Sequence, residues 1–333
     1  ATGAAEKYAM ATAVKANRVK QKMVVSRLLQ ALPILVLATF IVFSLMQLIP
    51  GDVAVTLAGE NASAERIAQI REAYGLNQPF LAQYGDWLWR AAQGDLGASL
   101  LSGEPVAQTI ARTFPNTLLI AFYAVLLSVL VGVPLGILAA TRSGSPLDSG
   151  IMGAASLGVA VPNFWFGMIL VLYLALTFKW FPATGFVSPR EDFSAALWYA
   201  TLPALALCTN GIAEIARQLR SSLVEIQSSQ HVRTLHAKGL SPARILWKHG
   251  LKNVSVNLLT VVGLLFNKIL AATVVVEAVF AIHGIGSSIV NAVLQGDFPV
   301  VQGAVLAMVV TVILVNLFTD LACTVLDPRI NEA

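Results

Sequence analysis

The sequence predicts an all-α integral membrane protein with six transmembrane helices. Three observations predict it. First, 56% of the 333 residues are hydrophobic and only 12% charged, with a mean hydropathy of +0.73. An average soluble domain carries about 25% charged residues, which it needs to cover its surface. Second, six stretches are free or nearly free of charge over the roughly 20 residues that a helix needs to cross hydrocarbon. Third, Lys and Arg are divided unequally among the connecting segments.

The spans follow in order. Residues 28–49 carry no charge, and neither do the gaps Arg112 to Arg142, Asp148 to Lys179 and Asp192 to Glu214. The fifth span, 253–276, carries only Lys268, and 298–319 is again uncharged. Glycine and proline recur within the spans, as in VLVGVPLGILAA (129–140) and GVAVPNFWFG (158–167). Small residues let helices approach closely and prolines kink them.

Orientation follows from the basic residues. The tail 1–27 holds six Lys or Arg against one acid, which places it in the cytoplasm. Its apolar continuation is too long for the core of a signal peptide. An even number of spans returns the end, 327–333, to the same side. Loop 50–113 then lies outside, with four basic residues against seven acids. The segment between spans four and five lies inside: Arg217, Arg220, Arg233, Lys238, Arg244, Lys248 and Lys252 face Glu225 alone.

Two connections are too long to be simple turns. In the outer loop Ile67, Ile70 and Tyr74, then Leu81, Tyr84 and Leu88, recur at helical spacing, with Gly75, Pro79 and Gly94 as breaks. This predicts two short amphipathic helices at the outer surface, with Trp87 and Trp89 at the interface; they either bind a partner or simply cap the bundle. The inner segment SSQHVRTLHAKGLSPARILWKHGLKN (228–253) predicts two short helices joined at Gly239. Ser241 and Pro242 open the second as N-cap and first helical residue. Its basic residues suit anionic lipid, and its apolar side suits a groove on a protein partner.

Catalytic signatures are missing. There is no GxxxxGK[ST], HExxH or GxSxG. His231, His236, His249 and His283 lack ligand spacing, and Cys208 and Cys323 read as buried thiols, so no metal and no catalytic residue is expected. A net charge of +4 asks for no nucleic-acid partner. Four charges fall near membrane depth. Glu214, Glu277 and Asp320 sit at expected span ends, where an interfacial position is cheap. Lys268 is mid-span and must either pair with a carboxylate or line a passage. An ion-coupled secondary transporter would show mid-membrane carboxylates and inverted repeats, which are not evident.

RTLHAKGLSPARILWKHGLKN resembles the EAA-type cytoplasmic loop of bacterial ABC-importer permeases, in the dipeptide/oligopeptide/nickel branch. Four further stretches match in order. LLQALPILVLATFIVFSLMQLIPGDVA (28–54) is similar to the first span and PGD turn of the first, B-type, permease subunit. GLNQPFLAQYGDWLWRAAQGDLGASL (75–100) is similar to its GL-x-x-P, QY-x-x-W and GDLG-S signature. VVVEAVFAIHGIGSSIVNAV (274–293) and Asp320 with LDPRI (326–330) resemble its last segments. The chain departs from the pattern at Thr234-Leu235-His236-Ala237, at Asn257 and at His283.

The resemblance implies the type I permease architecture, with a core over 114–326 and a coupling loop over 221–252. It implies a half-channel for di- or oligopeptides, or for nickel chelates, glutathione, opines or glycosides, in the bacterial inner membrane. The implied partners are a second homologous permease, two ATPase subunits carrying ATP and Mg2+, an extracytoplasmic solute-binding protein and lipid. By the same resemblance Arg233, Thr234, His236, Ala237, Lys238, Gly239, Leu240 and Ser241 meet the ATPase. Lys268, Glu277 and Asn163 are the candidate residues of the path, and Tyr84, Trp87, Asp95 and His283 the candidate contacts of the binding protein.

Overall fold

The computed structural model describes residues 24–27, 29–45, 54–55, 63–73 and 75–326. The basic tail before Val24, the PGD turn, Tyr74 and the LDPRI end after Leu326 lie outside the described residues. Among the described residues there is no strand, only an isolated bridge between Ala98 and Pro105.

Among the described residues five helices are long and apolar enough to cross a membrane: α1 (Val24–Leu45), α4 (Val106–Thr141), α7 (Phe193–Ser228), α9 (Pro242–Val279) and α11 (Phe298–Leu326). The expected third span is present but broken. α5 (Pro146–Ala160) and α6 (Asn163–Thr177, its last seven residues wound as a π turn) meet at 96°. The cause is local. Pro162 offers no N–H and crowds the residue before it, so Val161 leaves helical space at φ −83°, ψ 123°. Among the described residues four shorter helices join them: α2 (Ala64–Ala73), α3 (Phe80–Ala92), α8 (Gln230–Ala237) between α7 and α9, and α10 (Ile285–Gln295). Both outer-loop helices therefore form where the periodicity puts them, and Gly75 (φ 65°) and Gly94 (φ 86°) are the breaks.

The bundle is built on α4 against α7, its most extensive helix pair. Lipid gives no hydrophobic drive for helices to associate, so close backbone approach must supply van der Waals contact instead. Gly132, Gly136 and Gly211 permit that approach. A Cβ on Gly136 would stand 2.9 Å from the Ala216 carbonyl oxygen and 3.0 Å from the Leu219 Cβ. One on Gly132 would stand 2.9 Å from the Ile215 Cβ. α9 completes the core, where Leu265, Phe266, Ile269 and Leu270 meet Ile120, Leu207 and Ile215.

Polar links fix the ends of these helices. Ser145 caps α5 through the Asp148 amide, and Asp192 caps α7 by accepting from the Ser194 and Ala195 amides. The Ala195 N–H and the Ser194 hydroxyl together hold the Asp192 carboxyl below its ordinary range. Asp148, with only 4% of its side chain exposed, receives two bonds from Arg220: Nε to Oδ1 at 3.0 Å and Nη2 to Oδ2 at 2.6 Å. It also accepts the Gly144 amide at 2.9 Å, so the α4–α5 turn is bound to α7. In the sequence Asp148 serves only to bound a span and Arg220 only to orient the chain.

The close crossing is testable. Gly136→Val should cost about 1–3 kcal/mol through overpacking against backbone. The purified protein should lose several degrees of apparent melting temperature. Gly153→Val, where a Cβ meets nothing within 4 Å, should melt as the wild type does. Equal melting of both variants would remove the crossing from its central place.

Candidate functional site

Three features concentrate polar chemistry. The first is the turn at Gly239. α8 ends in a Schellman motif: the Gly239 amide donates to the His236 carbonyl at 2.9 Å and the Leu240 amide to the Leu235 carbonyl at 3.2 Å. This requires a left-handed residue, and Gly239 supplies it at φ 80°. Arg233, Thr234, His236, Ala237, Lys238, Gly239 and Ser241 are exposed; Leu240 and Leu235 are half-buried, and Val232 and Ile245 are buried as the floor. Ser241 accepts from the Arg244 amide as N-cap, with Pro242 following. The expected second short helix is not separate. It is the first turn of α9 and runs, through a π turn at Ile245–Gly250, into the fifth span.

The second feature is a polar face on α7, α9 and α11. Lys268 bonds Glu214 (Nζ to Oε1, 2.7 Å), with 63% and 30% of their side chains exposed. Lys268 is thus both paired and surface-facing, and its partner Glu214 stands on α7, which runs on to Ser228. Beside them the Asn267 amide donates to Asn316 of α11 at 2.8 Å. Nearer the Gly239 turn, Asn257 donates to Ser222 at 2.8 Å. The side-chain carbonyl oxygens of Asn210 and Asn267 are buried without a partner.

The third feature is at the other end of α9. Glu277 was expected at an interface and as a path residue; it has no exposed surface, so it faces no passage within this chain. The chain folds back after Val279, and α10 covers the carboxylate. Thr117 of α4 donates to Oε1 at 2.5 Å and the Ser287 amide to Oε2 at 2.8 Å. The α10 N-terminus favours a negative charge there. Thr117 in turn accepts the Ile285 amide at 2.9 Å, and Asn116 donates to the His283 carbonyl at 2.8 Å. A Cβ at Gly284 would overlap the Glu277 carboxyl, and one at Gly286 would stand 2.6 Å from the Val274 Cα. The E…G-x-G spacing of 277–286 is therefore a latch. Asp297 makes a similar one, accepting Ser99 Oγ at 2.5 Å and the Leu100 amide at 3.1 Å.

The remaining predicted residues are scattered. Tyr84 and Trp87 are not available for docking: they are buried, because α3 turns its apolar side onto α1. The Tyr84 hydroxyl lies 2.9 Å from the Thr39 hydroxyl and donates to the Val36 carbonyl, and its ring packs edge-on against Phe40 and Phe43. Trp89, by contrast, is 69% exposed. Asp95 is exposed and accepts the Gly97 amide, and the His283 side chain is exposed. Asn163 opens α6 at the 96° break, half-buried, with its carbonyl oxygen unpartnered. Asp320 receives Arg27 of α1 at 2.9 Å. Among the described residues no group of three or more His, Cys, Asp or Glu could hold a metal ion.

Five apolar spanning helices and one broken pair, with an exposed basic turn continuous with one span, make this a multi-span membrane protein, and its family makes it a transport subunit rather than an enzyme. The chain belongs to the family described as the binding-protein-dependent transport system inner membrane component, whose model matches residues 132–332. The companion N-terminal model of that family matches residues 20–121. A putative peptide transport system permease of Brucella abortus (strain 2308) is 37% identical over 92% of this chain and 98% of its own length. The oligopeptide transport system permease AppB of Bacillus subtilis (strain 168) is 35% identical over 92% and 98%. The dipeptide transport system permease DppB of Escherichia coli (strain K12) is 34% identical over 93% and 98%. Among solved structures, a chain of the inward-facing methionine ABC transporter MetNI superposes with a TM-score of 0.56 at 18% identity. It covers 66% of this chain and 97% of its own, which shows the shared permease fold.

The latch at Glu277 predicts a graded loss. Glu277→Ala leaves the Ser287 amide and the Thr117 hydroxyl without their acceptor in a sealed site, at about 1–3 kcal/mol for each stranded group. Glu277→Gln keeps one acceptor and should lose less. Apparent melting temperatures of the purified variants should fall in that order; an alanine variant as stable as wild type would contradict the latch.

Proposed function

We propose that the chain is the membrane half-channel of an ATP-driven importer for di- or oligopeptides. The peptide assignment rests on relatives named for peptide, oligopeptide and dipeptide transport at 34–37% identity across nearly their whole length. In this reading the chain lies in the bacterial inner membrane with both termini cytoplasmic, and pairs with a second homologous permease. Two ATPase subunits, carrying ATP and Mg2+, bind below. A solute-binding protein delivers the substrate from outside.

The observation that carries the reading is the continuity of the Gly239 turn with α9. The exposed residues Arg233 to Ser241 form a basic knob on a buried floor of Val232 and Ile245. Its C-terminal side is the first turn of a helix that runs to Val279. Force applied to the knob by a closing ATPase passes along that helix to Lys268 and Glu277 as rigid-body motion. Tyr84 and Trp87 then serve the docking face indirectly, by holding α3 on α1, while Asp95, Trp89 and His283 remain exposed toward the binding protein. Asn163, at the broken third span, completes the candidate path residues. The 221–252 segment is the coupling loop and 114–326 the permease core.

Gly239→Asp tests the coupling. A Cβ there meets nothing within 4 Å, and the left-handed backbone costs a non-glycine residue only about 1–2 kcal/mol. The variant should insert and assemble with its partners. Peptide uptake should fall at least tenfold, and ATP hydrolysis should no longer respond to loaded binding protein. Wild-type uptake would sink the coupling role.

A further inference from the structure

The Lys268–Glu214 pair is as exposed as Arg112–Glu104 and Arg27–Asp320, but unlike them it joins two spanning helices away from their ends. Arg220–Asp148 is a closed link between segments, its carboxylate almost fully enclosed. Lys268 instead presents most of its side chain outward from an apolar helix, where the nearest charged residues in sequence are Lys252 and Glu277. Against lipid such a charge is costly. Leu264 and Val275 are exposed on the same stripe of α9, but amides lie next to the pair. Asn267 and Asn316 bond each other across α9 and α11, and Asn210 and Asn267 keep buried carbonyl oxygens with no donor. Three helices therefore place amides beside a neutralised charge pair.

Resting on the reading of the chain as a peptide permease, we propose that Lys268 and Glu214 form a charge-exchange point for zwitterionic peptides. A peptide carries an ammonium at one end and a carboxylate at the other. At the pair, Glu214 can take the ammonium as Lys268 takes the carboxylate, so one ion pair is replaced by two and no charge is left bare. When the peptide leaves, the protein's own pair closes again. The exchange compensates the solute's charges in a low-dielectric region without holding it tightly, which transport requires of a site that must be left as well as entered. A single fixed charge would favour one end of the peptide and trap or repel the other.

The test uses the assembled importer with its binding protein, reconstituted in vesicles. Uptake of Ala-Ala-Ala, Lys-Ala-Lys and Glu-Ala-Glu is measured for the wild type, Lys268→Met, Glu214→Gln and the swap Lys268→Glu with Glu214→Lys. Each variant is compared with wild type peptide by peptide, so the binding protein's own preference cancels. Lys268→Met, leaving a lone carboxylate, should lose at least tenfold more uptake of Glu-Ala-Glu than of Lys-Ala-Lys; Glu214→Gln should show the reverse. The swap should return Ala-Ala-Ala to within threefold of wild type. Equal fractional losses for all three peptides would overturn the proposal, as would a swap that assembles without recovery. A swap that does not assemble assigns the pair to folding and overturns it too. If the wild type carries none of the peptides, the peptide reading itself falls, and this proposal with it; charge-blind variants beside an active wild type reject the pair's role alone.

Discussion

A carboxylate cannot be left unpaired inside an apolar bundle, and the architecture depends on how three of them are satisfied. Asp148, Glu277 and Asp297 are each 5% exposed or less, and each sits at a connection between helices. Asp148 ties the α4–α5 turn to α7 through Arg220. Glu277 ties the α9–α10 turn to α4 through Thr117. Asp297 ties the α10–α11 turn to the loop before α4 through Ser99. Close glycine packing brings α4 and α7 together, and these carboxylates then fix the turns around that pair. Removing one partner would leave a buried charge, so each link specifies its geometry more than it adds net stability.

The two sides of α9 show what this frame allows. One side carries Leu265, Phe266, Ile269 and Leu270 into the core. The other carries Asn257, Asn267 and Lys268 onto the polar face. A displacement of α9 therefore moves the core contact and the polar face together. The Glu277 latch ties α10 to the same helix, so the two are linked as one body.

The six spans were legible because hydropathy is a local, one-dimensional signal: a gap such as Arg112 to Arg142 must be membrane, whatever it packs against. The helix break at Gly239 and the short outer helices were legible for the same reason, through spacing and turn residues. What could not be read were contacts between distant segments. Asp148 and Arg220 are 72 residues apart, and nothing in either neighbourhood names the other. Glu277 lies near the end of an apolar run, which reads as an interface; that α10 folds back to enclose it is a tertiary fact. Tyr84 and Trp87 carried an amphipathic signal that was correct, but an amphipathic helix does not say what it covers, and here it covers α1. The break in the third span did have a signal, the Val161-Pro162 step, but glycine and proline are common in membrane helices and one proline need not break a span.

The position of the π turn bears on how the lever works. Between Pro242 and Val279 the α-helical pattern is interrupted only at Ile245–Gly250. Lys268 lies about 39 Å along the axis from Pro242 at 1.5 Å per residue, and all but the first part of that length is uninterrupted α-helix. A π turn is less regular than the helix on either side and is often found at functional sites. Here its two ends, Ile245 and Gly250, are buried against the base of the bundle, and a Cβ on Gly250 would stand only 3.5 Å from Leu223 of α7. The irregular turn is thus placed where α9 leaves the exposed knob and enters the packed bundle. In the proposed coupling, a push at Gly239 would be accommodated there as a change of angle, and the stiff remainder of α9 would carry it to Lys268 as a shift of the whole segment. The same push on a helix softened near its middle would be lost in bending before it reached the polar face.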